Sequence, residues 1–207
     1  MRRLAFLLAS LLAVISIHAQ GITPKLTVYP SFRPATVYTA EGKKTRVPLA
    51  NIFLKNSGLL YLNDKGTVLE VNPRTLLRVD FSDCTYFRID SVLACPVDTV
   101  GSMVLYRARV IDVNAYRQAV KNSKNITSLD LSSMLSYTTI DLGEEEGFPL
   151  VPVYYISLDD RFVLAHERHL KRHLDREHRR RMEGLLSQPG FSWTDETSLV
   201  RLMEAIR

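Results

Sequence analysis

From Asn51 onward, turn residues cut the chain into short apolar runs, and that punctuation constrains the fold more than any other feature. The runs are NIFLKN, LLYLN, TVLEV, TLLRVDF, TYFRI, SVLACPV and MVLYRARVIDV. They are rich in β-branched and aromatic residues and too short for ordinary helices. Asp64-Lys65-Gly66 supplies a hairpin turn between the second and third runs, with glycine free to adopt positive φ. Asn72-Pro73 opens another turn. Short strands recurring at roughly eight-to-ten-residue spacing predict a compact antiparallel barrel or sandwich, from about Val37 to Val113.

The chain start points to a compartment. Arg2 and Arg3 precede an apolar run, Leu4 to Ile17, and Ala19 is the small residue before an expected cut at Gln20. That order is the grammar of a secretory signal, and the run is shorter than the roughly twenty residues that span a bilayer. Residues 1–19 are therefore expected to be a Sec signal peptide, with the mature protein in the periplasm or at the cell surface. No second long apolar run follows, so no transmembrane segment is expected in the mature chain. Losing Arg2 and Arg3 lowers the formal charge from +5 to +3, an excess too small to suggest nucleic acid.

Cys84 and Cys95 both lie in the exported part. Oxidising compartments favour their pairing, and a turn near Ile89-Asp90 would set them opposite each other on adjacent strands. A loop this short stabilises by roughly 3 kcal/mol when closed.

Residues 20–50 carry four prolines, at 24, 30, 34 and 48, and read as extended edge segments, since proline cannot donate within a sheet. Residues 51–160 form the expected β-rich domain, with a short helix near 113–122 capped by Asp112. Further strands are expected at ITSLDL and SYTTIDL, and an acidic loop at GEEEG, residues 143–147. VPVYYISL and RFVLAH form a hairpin turning at Asp159-Asp160. Residues 161–207 are expected to be helices packed on the β-core: one from about Glu167 to Ser187, then a second, capped by Ser192 or Thr194. On the second, Leu199, Leu202, Met203 and Ile206 recur at helical spacing and make an apolar docking face.

The stretch HERHLKRHLDREHRRRMEG, residues 166 to 184, is the most unusual in composition. On one continuous helix, Leu170, Leu174 and Leu185 would form the buried stripe. His169 and His173 would then be neighbours able to hold a transition metal, with Glu167, Asp159 or Asp160 as a further ligand. Leu170 stands where the zinc signature needs a glutamate, so the two histidines are read as flanking a packing seam, and no metal or cofactor is expected. Glu167–Lys171, Asp175–Arg179 and Glu177–Arg181 each place the acid four residues before the base, the supportive order on a helix. A phosphate-gripping surface would not neutralise itself so regularly.

No Gly-rich phosphate loop, GxSxG elbow or SxxK pair occurs in the chain. Asp80, Asp83 and Asp90 near expected strand ends, and Glu144 to Glu146 in the acidic loop, are the carboxylates that a hydrolase would draw on, although acidic residues in turns are ordinary. Tyr29, Tyr38, Tyr61, Tyr86 and Phe87 are the rings that could line an apolar cavity.

The segments YPSFRPATV, ANIFLKNSGLLYLN, TLLRVDF, FRIDSVLA and FSWTDETSLVRLMEAI together resemble a group of uncharacterised secreted proteins of Bacteroidetes-type bacteria. The resemblance implies a Gram-negative envelope setting and no activity.

The expectation is thus an α+β fold, a β-rich small antiparallel barrel or sandwich with a C-terminal helical hairpin. The expected function is a non-catalytic binding or scaffolding role at the envelope, with a protein or surface glycan as partner. The alternatives are a carrier for a small apolar or lipid ligand, and a hydrolase, possibly metal-assisted through His169 and His173.

Overall fold

The computed structural model describes residues 22–23, 26–124 and 148–207. Among them are eleven strands: β1 (Ile22–Thr23), β2 (Arg33–Thr39), β3 (Lys44–Phe53), β4 (Gly58–Leu62), β5 (Val68–Glu70), β6 (Leu76–Asp80), β7 (Thr85–Ile89), β8 (Val92–Val100), β9 (Met103–Ile111), β10 (Phe148–Leu158) and β11 (Arg161–Leu164). The helices are α1 (Val113–Lys124), α2 (Glu167–Leu170), α3 (Arg176–Leu186) and α4 (Glu196–Ala205). The expected strands at ITSLDL and SYTTIDL and the GEEEG loop lie outside the described residues.

All pairings are antiparallel, in the order β1-β10-β9-β8-β7-β6-β2-β3-β4-β5, with β11 on β10. The expected turns are present. Gly66 takes φ 73° between β4 and β5, Asp90 φ 52° between β7 and β8, and Asp159 and Asp160 φ 45° and 62° before β11. Asp112 caps α1, its Oδ1 accepting the N–H groups of Asn114 and Ala115 at 3.0 and 2.9 Å.

The segment from β2 to β8 curls around one apolar core to which each of its strands except β5 contributes: Ala35, Val37, Ala50, Ile52, Leu59, Leu76, Val79, Tyr86 and Leu93. Of the expected barrel or sandwich, the barrel is not shown, because among the described residues the sheet does not close by strand pairing. The β3–β4 turn reaches β8 at Ser57, whose hydroxyl donates to the Leu93 carbonyl at 2.6 Å and whose carbonyl accepts the Leu93 N–H at 2.8 Å. Ser57 does this at φ 50°, a left-handed turn that aims both groups at β8 but cannot continue a ladder. Asn51, fully buried, pins the approach to β2. Its side chain accepts the N–H groups of Tyr29 and Ile52 and donates to the carbonyls of Tyr29 and Ser31.

The prolines are not confined to edges. β2 lies between β3 and β6, and Pro34 falls where the β2–β3 register slips between Arg33 and Ala35. A bulge already interrupts the ladder there, so the missing N–H costs little. Pro96 sits at the corresponding slip between β8 and β9.

Helices cover one face of the sheet from β8 to β11. Leu199, Leu202, Met203 and Ile206 of the final helical stretch are all buried, as the spacing predicts, against Val100, Met103, Leu105, Ile156 and Val163. Burying four such side chains is worth on the order of 2 kcal/mol each, which fixes α4 to the strands. The single helix expected from Glu167 to Ser187 is broken in two. Asp175 adopts extended backbone and its carboxylate accepts the His178 N–H at 2.9 Å, starting α3 afresh. A capping aspartate stabilises a helix start more than the same residue stabilises an interior. The break also changes the buried stripe: Leu170, Leu174 and Met182 point inward, whereas Leu185 is only half-buried. The cap of α4 is Asp195, whose side chain accepts the Ser198 N–H at 2.8 Å, rather than Ser192 or Thr194.

Candidate binding face

The outer side of the curled sheet carries a row of side chains set by register alone. Lys44 of β3 pairs with Tyr38 of β2, Tyr38 with Arg78 of β6, Arg78 with Phe87 of β7, and Phe87 with Ala94 of β8. Directly opposed residues on one face are about 4.5–5.5 Å apart, so these groups are neighbours along the row. The Arg78 guanidinium lies 4.1 Å from the Tyr38 ring centroid and the Lys44 ammonium 5.5 Å from it. Ala94 is small enough for the rings on either side of β8 to meet over it, and Phe87 packs edge-on against Tyr106 of β9 with centroids 5.7 Å apart. Tyr106 in turn meets Phe162 of β11 at 5.2 Å, and Phe162 remains 41% exposed. The row is cationic at one end and aromatic at the other.

A second row, Arg46–Thr36–Asp80, runs beside the cationic end. Between the rows and the β6–β7 loop lies a groove of about 500 Å³, with Pro34, Thr36, Lys44, Arg46, Asp80 and Ser82 among its walls. Asp80 is occupied by Arg78, 3.3 Å away. Arg33 is occupied by the Ser82 hydroxyl and by Asp83, at 3.4 Å for the latter. Lys44 and Arg46 are exposed and have no acidic partner among the described residues.

Beneath the groove, Tyr29 donates its hydroxyl to Asp83 at 3.2 Å and lies under the Arg33 guanidinium at 4.4 Å. Burial pushes the phenols of Tyr29 and Tyr86 above their usual range, so neither is poised to act as a base at neutral pH. The five rings considered for a carrier cavity occupy different environments. Tyr29 and Tyr86 fill the core, Tyr38 and Phe87 lie in the outer row, and Tyr61 is half-buried on β4. The carboxylates are likewise dispersed: Asp80 and Asp83 hold arginines, and Asp90 forms the β7–β8 turn.

In the C-terminal stretch the four carboxylates are each engaged, while Arg168, Arg172, Arg176, Arg179 and Arg180 have no acidic partner among the described residues. Lys171 bridges Glu167 at 2.7 Å and Glu183 at 2.8 Å, tying α2 to α3. Those carboxylates raise the Lys171 pKa, and Lys171 in turn lowers that of Glu183. Glu177 pairs with Arg181 as expected. The expected Asp175–Arg179 pair is replaced by Asp175–His178, 2.9 Å apart, because Asp175 is the cap. The His178 backbone N–H, then its ring, hold the Asp175 carboxyl below the usual range.

His169 and His173 are exposed and no longer share one regular helix, since α2 ends at Leu170. His169 instead meets the His166 ring edge-on at 6.1 Å, and His166 stacks on Trp193 at 5.8 Å. The His166 Nδ1 accepts the Arg168 N–H and so begins α2. Among the described residues no three His, Cys, Asp or Glu side chains converge as a metal site.

Cys84 and Cys95 form the expected disulfide, with Cα atoms 6.4 Å apart, across the β7–β8 hairpin. No helix among the described residues is long and apolar enough to cross a membrane. Comparison with family models, curated proteins and solved structures found no match.

Proposed function

We propose that the protein is an exported, non-catalytic envelope protein with a binding or scaffolding role, and that it binds through the outer face of β3, β2 and β6. The observation that carries this is the placing of two cations on a groove wall. Lys44 and Arg46 line the groove with no acidic partner among the described residues, whereas the four carboxylates of residues 167–183 are each engaged in an ion pair or cap. A cation with no acidic partner among the described residues is available to an anion outside the chain. The Cys84–Cys95 disulfide is in keeping with an oxidising compartment, and the leader-like start supports export.

Fractionation of cells expressing the full chain, with N-terminal sequencing, tests the setting. A product starting at Gln20 in the envelope or medium is expected; a cytosolic product retaining residues 1–19 would contradict export. A broad hydrolase panel tests the role. Turnover that disappears in Asp80→Asn or His169→Gln would replace the binding function with an enzymatic one.

A further inference from the structure

We propose that the outer face takes an acidic polysaccharide, which lies across the strands with its anionic groups at Lys44 and Arg46 and its sugar faces along the aromatic row. This rests on the binding role proposed above and names its ligand class. Charge complementarity selects an anion: the two cations on the groove wall have no acidic partner among the described residues, Lys44 meeting only the Tyr38 ring there, and the wall's one carboxylate, Asp80, is bound by Arg78.

The direction of the row selects a glycan over a peptide. A peptide recognised by strand addition needs a bare edge offering backbone groups. Here the contacts come from side chains in the middle of a face, perpendicular to the strands. The first half of β3 is an edge, since β4 pairs only with Ala50–Phe53. It carries Lys44, Arg46 and Pro48, the residue types that discourage strand addition.

The Thr36 and Ser82 hydroxyls in the groove suit a ligand rich in hydroxyl groups. Phe87, Tyr106 and Phe162 give a chain of rings that ends on an exposed face, and such rings offer apolar surface to the CH side of a sugar. Neighbouring strands lie about 4.8 Å apart, so the row from β3 to β9 holds an extended ligand of several sugars rather than one.

The test is binding of the purified protein to four polymers, measured by titration calorimetry: polygalacturonate, dextran sulfate, neutral dextran and poly-glutamate. At least one of the two acidic glycans should bind, more weakly as salt rises, and neutral dextran should not. The variant Lys44→Gln/Arg46→Gln should weaken that binding at least tenfold with an unchanged melting temperature, and Lys44→Arg/Arg46→Lys should retain it. Phe162→Ala should weaken it about threefold.

Absence of binding to both acidic glycans would overturn the ligand class. So would poly-glutamate binding as tightly, which would point to an acidic protein partner. Undiminished binding by Lys44→Gln/Arg46→Gln would overturn the location. None of these outcomes bears on export or catalysis, which the fractionation and hydrolase experiments address separately.

Discussion

The chain contains two basic regions, and they differ in where their charge is placed. Residues 166–184 hold the densest run of Lys, Arg and His in the sequence; Lys171 is shared by two glutamates, Arg181 is held by Glu177 and His178 by Asp175, while Arg168, Arg172, Arg176, Arg179 and Arg180 have no acidic partner among the described residues. The β2–β3 hairpin has far fewer cations, but Lys44 and Arg46 line a groove whose one carboxylate, Asp80, is bound by Arg78. Density of charge in a sequence therefore does not by itself locate a binding surface. The shape and the groups set beside each charge after folding matter as well, and exposed pairs contribute little to stability in any case.

Perturbing one half and leaving the other intact sharpens this comparison. The largest effect is expected in the helical half from Leu202→Ala, which removes a fully buried side chain from between α4 and the strands. The loss should be about 2–5 kcal/mol, read from chemical denaturation. Amide exchange should rise in 166–207 before it rises in β2–β7. The counterpart in the curled half is Cys84→Ser/Cys95→Ser, which should cost about 3 kcal/mol. Titration of the denatured, unreduced wild-type protein should find no free thiol, and two thiols would refute the pairing.

Asp195→Ala should cost about 1 kcal/mol by removing the cap of α4, with a matching fall in melting temperature. Acid acts on the same caps. The Ser198 hydroxyl and N–H hold the Asp195 carboxyl below its usual range, and the His178 N–H does so for Asp175. Both values are depressed by folding, so the stabilisation is complete above about pH 4 and is lost as pH falls through the folded values. Hydrogen exchange at pH 3 should therefore show α3 and α4 loosening ahead of the curled sheet. The smallest effect on stability is expected from Lys44→Gln/Arg46→Gln, within about 0.5 kcal/mol, since neither charge has an acidic partner among the described residues and the Lys44–Tyr38 contact lies at the surface.

Much of the fold could be read from the sequence because its signals are local. The Asp64-Lys65-Gly66 and Asp159-Asp160 turns, the Asp112 cap, the cysteine pairing and the apolar stripe of α4 each depend on residues close together in the chain. The features that escaped depend on competition or on distance. Asp175 could pair with Arg179 on one helix or cap a second helix, and only the burial of Leu174 and Met182 settles which. Proline at 34 suggests an edge unless one knows that a bulge receives it inside the sheet. The proposed binding face was the least legible of all. Tyr38 meets Arg78 only because β2 inserts between β3 and β6, elements far apart in sequence, and no periodicity within either strand announces that contact.

The central claim is that the cations of the hairpin, which line a groove beside an aromatic row, receive the ligand, rather than the denser cations of the C-terminal helices. Amide chemical-shift mapping of the protein titrated with dextran sulfate tests it most directly. Perturbations should concentrate at Thr36, Tyr38, Lys44 and Arg46, leaving residues 166–184 nearly unmoved. A response centred on 166–184, with the hairpin silent, would contradict it.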